Sequence, residues 1–598
     1  MRGELARSPA EDAAVPVATR EGRARGSALG RWAIRLLPLA VVAFWLLSLR
    51  DVNLRAMGDL GLLQVLPVLF WVALGLLVLG FCLALGDRRI GNGWLLAYVL
   101  TLIGMVHATP SILYPELRYS WGWKHVAVVD AMLRHNGPVP YAPEFDIYDQ
   151  WPGFFQVNVL FLRLTGLDSP LGYAEWAQPF FNVALIGPLL LIYRSVTRDR
   201  RLIWGGVWIY YSCSWVGQDY FAPQALAFLL FVTVIALVMR QLPTSTLPRT
   251  GPGDRSWPVG RLIAVLLMTA AIASSHQLTP VMLITALAAL SLPRRNRRVT
   301  GPVLLGAVVI TVAWDATVAR PYMAENIKGM LRELVSPDAN VTSGLYRLGT
   351  AAPAQVFVAW VDRALSGAVL LLAVIAVLYL RWTRRTGLPL LLLSPFLLLA
   401  ANSYGGEMIF RAYLFALPAA AFLISALVFR RGHRLRWRTL AVFPLLLLML
   451  GSLLFAYYSK EAMNSFTRQE ATAIRYAVAT APTGSQLVSI SGAAPGLDMQ
   501  YDQHYRTHFN LQRSFDVQQQ ARDLRSALVG VTETNASAPT FVIVNKAAFA
   551  DNRLNGLFPA ETLDHLKTVL PKMQRFTLVY RNDDAEVYRY DPPLRRGS

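Results

Sequence analysis

Cysteine is nearly absent. The chain has only Cys82 and Cys213 in 598 residues, both inside apolar runs, which excludes a disulfide framework and a cysteine zinc site and leaves them as small core residues. Nucleotide fingerprints are missing too: neither GxxxxGK[ST] nor a GxGxxG between strand and helix occurs, which argues against an energy-coupled pump. Without HExxH or a Cys/His cluster, tightly held zinc is unsupported. No cofactor is required by the sequence, and the acidic loop residues offer Mg or Mn at most a weak site without fixed geometry. Charge is scarce as well. Charged residues make up 16% against 54% hydrophobic, and a mean hydropathy of +0.39 excludes an ordinary soluble protein in favour of a polytopic membrane protein.

The charge that is present leans basic, 57 Lys and Arg against 37 Asp and Glu, for a net +20. Its location decides its meaning. Arginines gather in short turns between apolar runs: Arg88 and Arg89; Arg194 to Arg201; Arg294 to Arg298; Arg381 to Arg385; Arg430 to Arg438. This is the positive-inside pattern, with those turns facing the cytoplasm and anionic lipid headgroups. No nucleic-acid partner is needed to explain the basicity.

Taking about 20 apolar residues as one crossing, we expect thirteen spans near 32–48, 61–85, 92–109, 177–193, 202–217, 221–240, 260–274, 277–292, 301–318, 366–381, 387–402, 412–429 and 437–457. Three parts follow. Residues 1–31 form a disordered cytoplasmic tail with no cleavable signal, 32–457 a transmembrane domain with a large outer loop at 110–176, and 458–598 a small extracytoplasmic α/β domain. With the tail inside, an odd count puts the C-terminus outside and every Arg-rich turn inside. The stretch 151–176 is either an extra hairpin or a pair of helices at the outer surface. In the last part, strands are expected at Gln486 to Ile490, Thr540 to Val544, Phe576 to Tyr580 and Ala585 to Tyr590, and helices at Arg468 to Thr480, Val517 to Leu528 and Ala560 to Leu570. Asn582, Asp583 and Asp584 turn the final hairpin.

The chemistry concentrates in residues 110–155, a polar, aromatic, Pro-rich segment between apolar runs that carries Glu116, Lys124, His125, Asp130, Glu144, Asp146 and Asp149. Beside a membrane, so many titratable groups are costly unless they meet water or a charged ligand. Ser120 is positioned to cap a surface helix from Trp121, with Lys124 and His125 in its first turns, where the free N–H groups favour phosphate. Trp121, Trp123 and Trp151 either stack on sugar rings or form an interfacial belt. Other outer segments add Asp219 and Gln224 in GQDYFAPQ, His276 in ASSHQLTP, and Glu407 with Arg411 in GGEMIFR, four apart as in a helix ion pair. Gly405 and Gly406 bring the backbone of that last segment close to a neighbour.

The segments YPELRYSWGWKH, YDQWPGFF, QDYFAPQ, SHQLTP and GGEMIFR, with many membrane helices and an outer C-terminal α/β domain, resemble the GT-C class of membrane glycosyltransferases and actinobacterial membrane proteins placed near it. The acidic loop here follows the third span rather than the first, and its acid sits in Pro115-Glu116 rather than an Asp-Glu or Asp-x-Asp pair. The resemblance implies a bacterial plasma-membrane enzyme that moves a hexosyl or pentosyl unit from a polyprenyl-phosphate sugar to a cell-envelope glycan or lipid acceptor. A carboxylate would take the acceptor proton, and direct displacement would invert the anomeric centre. Glu116 is then the first candidate base, followed by Asp149 and Asp130; Lys124, His125, His276 and Arg411 would hold the donor phosphate; Trp121, Trp123, Trp151, Asp219, Gln224 and Glu407 would bind substrate. Other readings are a transporter or flippase of lipid-linked saccharides, a polysaccharide polymerase or ligase, and a non-catalytic envelope protein.

Overall fold

A computed structural model describes residues 18–140, 142–247, 257–333, 351–400, 407–429, 441–509, 523–532, 538–559 and 561–592. Helices stand at every expected apolar run, because apolar backbone in lipid must satisfy its hydrogen bonds internally. Eight of these, from Gly30–Asp51 to Met408–Val428, are long and apolar enough to cross a membrane; Val259–Ser275, Leu278–Ser291, Leu388–Ala400 and Phe443–Tyr458 are shorter apolar helices. The run near 202–217 is the helix Arg200–Cys213, every residue of which from Leu202 onward is buried. Its ring of neighbours includes the helix Met408–Val428, also buried nearly throughout.

Several boundaries differ from expectation. The run expected from 61 begins with short 3-10 turns, and its helix, Val68–Gly86, starts after Pro67. Gly61 there has φ 53°, and a Cβ on it would strike the carbonyls of Tyr458 and Ser459, so the chain presses against the end of the last apolar helix. The helix expected from 366 begins at Pro353, a residue preorganised for a helix start. Within 151–176 lies the helix Gly153–Thr165, 13 residues long. That is about 20 Å, short of the roughly 30 Å hydrocarbon core, and its exposed stripe of Val157, Leu160, Phe161 and Leu164 marks a helix at the surface.

Four of the Arg-rich turns join in two pairs at one end of the helices. Arg200 donates to the carbonyls of Ala84, Asp87 and Arg88, Arg198 to Thr246 O, and Arg295 to Arg385 O at 3.0 Å. Arginines so placed satisfy carbonyls at helix C-termini. The turn at Arg430 to Arg438, Gly405, Gly406 and most of the N-terminal tail lie outside the described residues.

At the chain's other end a five-stranded sheet is ordered β2-β1-β3-β5-β4, with β1 Gln486–Ser489, β2 Tyr505–His508, β3 Thr540–Asn545, β4 Phe576–Arg581 and β5 Ala585–Tyr590. The strand β1 lies parallel to β2 and β3, while β5 runs antiparallel to β3 and β4. The Asn582 side chain accepts from the amides of Asp584 and Ala585 and closes the final hairpin. Two elements were not expected: the polar edge strand β2 and the helix Lys546–Asn555. That helix is anchored at its start by Glu470, buried, whose carboxylate accepts from Ala547 N at 2.7 Å and Asn545 Nδ2 at 2.9 Å. A negative charge at a helix N-terminus is favourable there.

Candidate active site

The surface helix is Ser120–His135, but Ser120 does not cap it. Tyr119 precedes it with φ 67° and no side-chain cap; its amide donates to Asn464 O at 3.3 Å, so a segment far along the chain fixes the start of the helix. Helical spacing then sorts the side chains. Trp121 and Lys124, three apart, share the open face, with the Lys124 ammonium 4.4 Å from the Trp121 ring and 5.2 Å from that of Phe145. Trp123 points the other way, buried, its indole N–H donating to Leu117 O at 2.9 Å and its ring packed on Gly496. It is a core residue, neither belt nor sugar platform.

The open face looks into a cavity of about 780 Å³ between the helices and the sheet domain. Lys124, His125, Gln224, His276, Glu407 and Arg411, far apart in sequence, all line it, and Trp121, Tyr148, Trp151 and Tyr220 supply aromatic wall. Gly153 lets this wall close up, since a Cβ there would strike the Ser274 and Ser275 hydroxyls beside His276. Arg411 donates to Glu407 at 2.7 Å and also to Gln224 Oε1. Gln224 is 3% exposed, and its Nε2 has no hydrogen-bond partner among the described residues. A buried amide donor left unpaired on a cavity wall calls for an acceptor from a ligand. Among the described residues Lys124 makes no salt bridge.

The two histidines serve as neutral groups. Burial, with Lys124 alongside, brings the His125 pKa down to about 4 against the pull of the Phe221 carbonyl, which lies 2.8 Å from Nδ1. That carbonyl can only accept, so Nδ1 carries the proton and Nε2 is a lone pair. His125 therefore suits a ligand hydroxyl better than a phosphate oxygen. Burial, then Arg411, holds His276 well below the ordinary histidine range. Its Nδ1 accepts from the Thr279 amide at 3.3 Å, capping the helix Leu278–Ser291, which leaves Nε2–H as a donor.

None of the three acids ranked first as base lines the cavity. Glu116 is turned toward the C-terminal domain, 3.6 Å from Arg475; burial raises its pKa against the opposing pull of Arg475 and Arg468. Asp149 sits one residue from the Tyr148 wall but accepts weakly from Val139 N, and burial pushes it up to about 6. Asp130 faces Ser169 at 3.2 Å, on the opposite side of the surface helix. Asp219 lies behind the wall, 3.1 Å from His107 and 2.7 Å from Asn182 Nδ2. Burial pushes its carboxyl up, but hydrogen bonding and charge from His107 hold it below the usual range. The carboxylates that do line the cavity are Glu144, Glu407 and Asp551. Asp551, on the unexpected helix, had no periodicity or motif to draw attention to it. No group of three or more His, Cys, Asp or Glu placed to hold a metal ion occurs among the described residues.

Asp130 supports a pH prediction. Burial raises its pKa from 3.8 to about 6, against Ser169 and Arg134, and its Oδ1 is buried without a partner. A raised carboxyl stabilises the fold below the unfolded pKa, and that contribution is lost as pH rises from about 4 through about 6. Asp130→Asn is therefore expected to be more stable than wild type at pH 7.5, by on the order of 2–3 kcal/mol, seen as a higher melting temperature, and to flatten the wild type's gain on acidification to pH 5.5. Identical melting curves for the two proteins at pH 7.5 would refute it.

No family model and no curated protein matches the chain. Among solved structures it is similar to the archaeal oligosaccharyltransferase AglB from Archaeoglobus fulgidus, in complex with an inhibitory peptide and a dolichol-phosphate, at 13% identity over 78% of this chain and 71% of that one, TM-score 0.47. A second structure of that enzyme, tethered to an acceptor peptide, gives 11% identity, 85% and 76% coverage and a TM-score of 0.48. ArnT from Cupriavidus metallidurans bound to undecaprenyl phosphate gives 12% identity, 83% and 98% coverage and a TM-score of 0.47. At these levels the similarity assigns the chain no family, no substrate and no residue a role.

Proposed function

We propose that the protein is a membrane glycosyltransferase that moves a sugar from a polyprenyl-phosphate donor to a hydroxyl of a cell-envelope glycan or lipid on the outer face. The observation that carries this reading is the convergence on one cavity of two donors that no anion answers among the described residues: Lys124, lying against aromatic rings, and the Gln224 Nε2 beside the Arg411 fork. Arg411, Lys124, Gln224 and the His276 Nε2–H would hold the phosphate, and the aromatic wall would hold the sugar. About 780 Å³ lies within the roughly 300–1,000 Å³ usual for small-molecule sites. Cations at the departing phosphate lower the barrier as its charge develops. The outer-face orientation rests on the Arg-rich turns, which gather away from this cavity.

The test is transfer of labelled sugar from a panel of polyprenyl-phosphate sugars to a cell-envelope extract by the purified protein. Turnover with one or more donors is expected. Movement of an intact lipid-linked saccharide across proteoliposomes with no bond cleaved would establish the transporter in its place.

A further inference from the structure

The outer C-terminal domain contributes to the cavity directly. Gly492, Ala493 and Asp551 line it, as do Met463 and Asn464 just before that domain. Asp551 is 6% exposed on the helix Lys546–Asn555, whose position is set at one end by Glu470 and at the other by Asn555. The Asn555 amide lies 2.6 Å from Asp551 Oδ1 and 3.3 Å from Met463 Sδ, tying the helix to the chain that leaves the membrane. The three cavity carboxylates differ in company. Glu407 is held by Arg411 at 2.7 Å and Glu144 by Arg506 at 3.2 Å, whereas Asp551 accepts from the neutral Asn555 and forms no salt bridge among the described residues. Among the described residues Asp551 is thus the cavity carboxylate that no cation holds, which leaves it open to a ligand hydroxyl.

We infer that Asp551, from the outer domain, is the carboxylate that binds and deprotonates the acceptor hydroxyl, so that the C-terminal domain forms an acceptor subsite for a polyhydroxylated ligand such as a glycan end. This rests on the glycosyl-transfer reading above. The acceptor O–H proton passes to Asp551; the acceptor oxygen bonds to the anomeric carbon; the bond from that carbon to the phosphate oxygen breaks, and its electron pair leaves on the phosphate, opposite Lys124 and Arg411. Asp551 afterwards returns the proton to water. Donor and acceptor then enter from different parts of the protein, the membrane helices holding the lipid phosphate and the sheet domain the hydroxyl.

The experiment uses the full-length protein in detergent or nanodiscs, with two readouts: binding of polyprenyl phosphate, and transfer of labelled sugar to envelope extract. Asp551→Asn is expected to keep the wild-type melting temperature and polyprenyl-phosphate affinity while transfer falls about 10²- to 10⁴-fold, the range for loss of a general base. Asn555→Ala, which removes the hydrogen bond to Asp551 but keeps the carboxylate, is expected to lose far less transfer than Asp551→Asn. Full transfer by Asp551→Asn, or equal loss in both variants, would overturn the assignment. Absence of binding and transfer in the wild type would instead overturn the glycosyltransferase reading itself.

Discussion

Lys124→Ala is expected to weaken polyprenyl-phosphate binding by roughly 30- to 1,000-fold, the equivalent of about 2–4 kcal/mol for a desolvated charge contact, and to lower transfer at least as much. The ammonium stands near the Trp121 and Phe145 rings on the cavity wall and has no counterion among the described residues. A phosphate arriving there meets a charge that no carboxylate has already neutralised. Lys124→Arg should recover part of the loss, because the charge is restored while the guanidinium fork differs in shape and hydration. Binding should also weaken with added salt in the wild type and much less in Lys124→Ala. Undiminished affinity in Lys124→Ala, measured by titration with polyprenyl phosphate, would remove the phosphate from this end of the cavity.

The largest stability effect is expected at Arg118. Its guanidinium is buried, 2.6 Å from Glu461 Oε1, 2.7 Å from Tyr457 O and 3.1 Å from Gln178 Oε1, and it lies over the rings of Tyr119 and Tyr457 at 4.4 and 4.5 Å. It therefore joins the outer loop to the end of the last apolar helix. Glu461 is 0% exposed, so Arg118→Met would strand a buried carboxylate, at a cost of about 3–5 kcal/mol. The melting temperature of the detergent-purified variant should fall sharply, and the cavity should loosen because Tyr119 opens the surface helix. Adding Glu461→Gln removes the stranded charge and should restore most of the loss. A single variant as stable as wild type, or a double variant worse than either single one, would contradict this account.

What was legible in the sequence follows from solvent physics. Apolar runs near 20 residues must be helical in lipid, and the structure carries helices at each of them. Arginines excluded from the apolar core collect at turns, and Arg198, Arg200 and Arg295 brace one end. The segment 110–155 was recognisable as costly unless used, and Lys124, His125 and Trp121 from it, with Gln224, His276, Glu407 and Arg411 from beyond it, share one cavity. Helical spacing alone separates Trp121 from Trp123, two residues apart and on different faces.

Which acid faces the cavity was not legible, because a side chain's outlook depends on elements that pack from far along the chain. Glu116 meets Arg475, Tyr119 is held by Asn464, and His107 lies 3.0 Å from Tyr457; none of these pairings leaves a local pattern. The helix carrying Asp551 is short, with half of its residues polar and three of the apolar ones alanine, so its hydrophobic period is faint. Composition and periodicity by themselves determined a polytopic helical protein with a polar loop rich in cations, acids and aromatics, since burial in lipid acts on every residue of a run. Tertiary packing decided which of those charges are neutralised by a neighbour and which remain open to the cavity, since ion pairing depends on distances of a few ångströms between segments hundreds of residues apart.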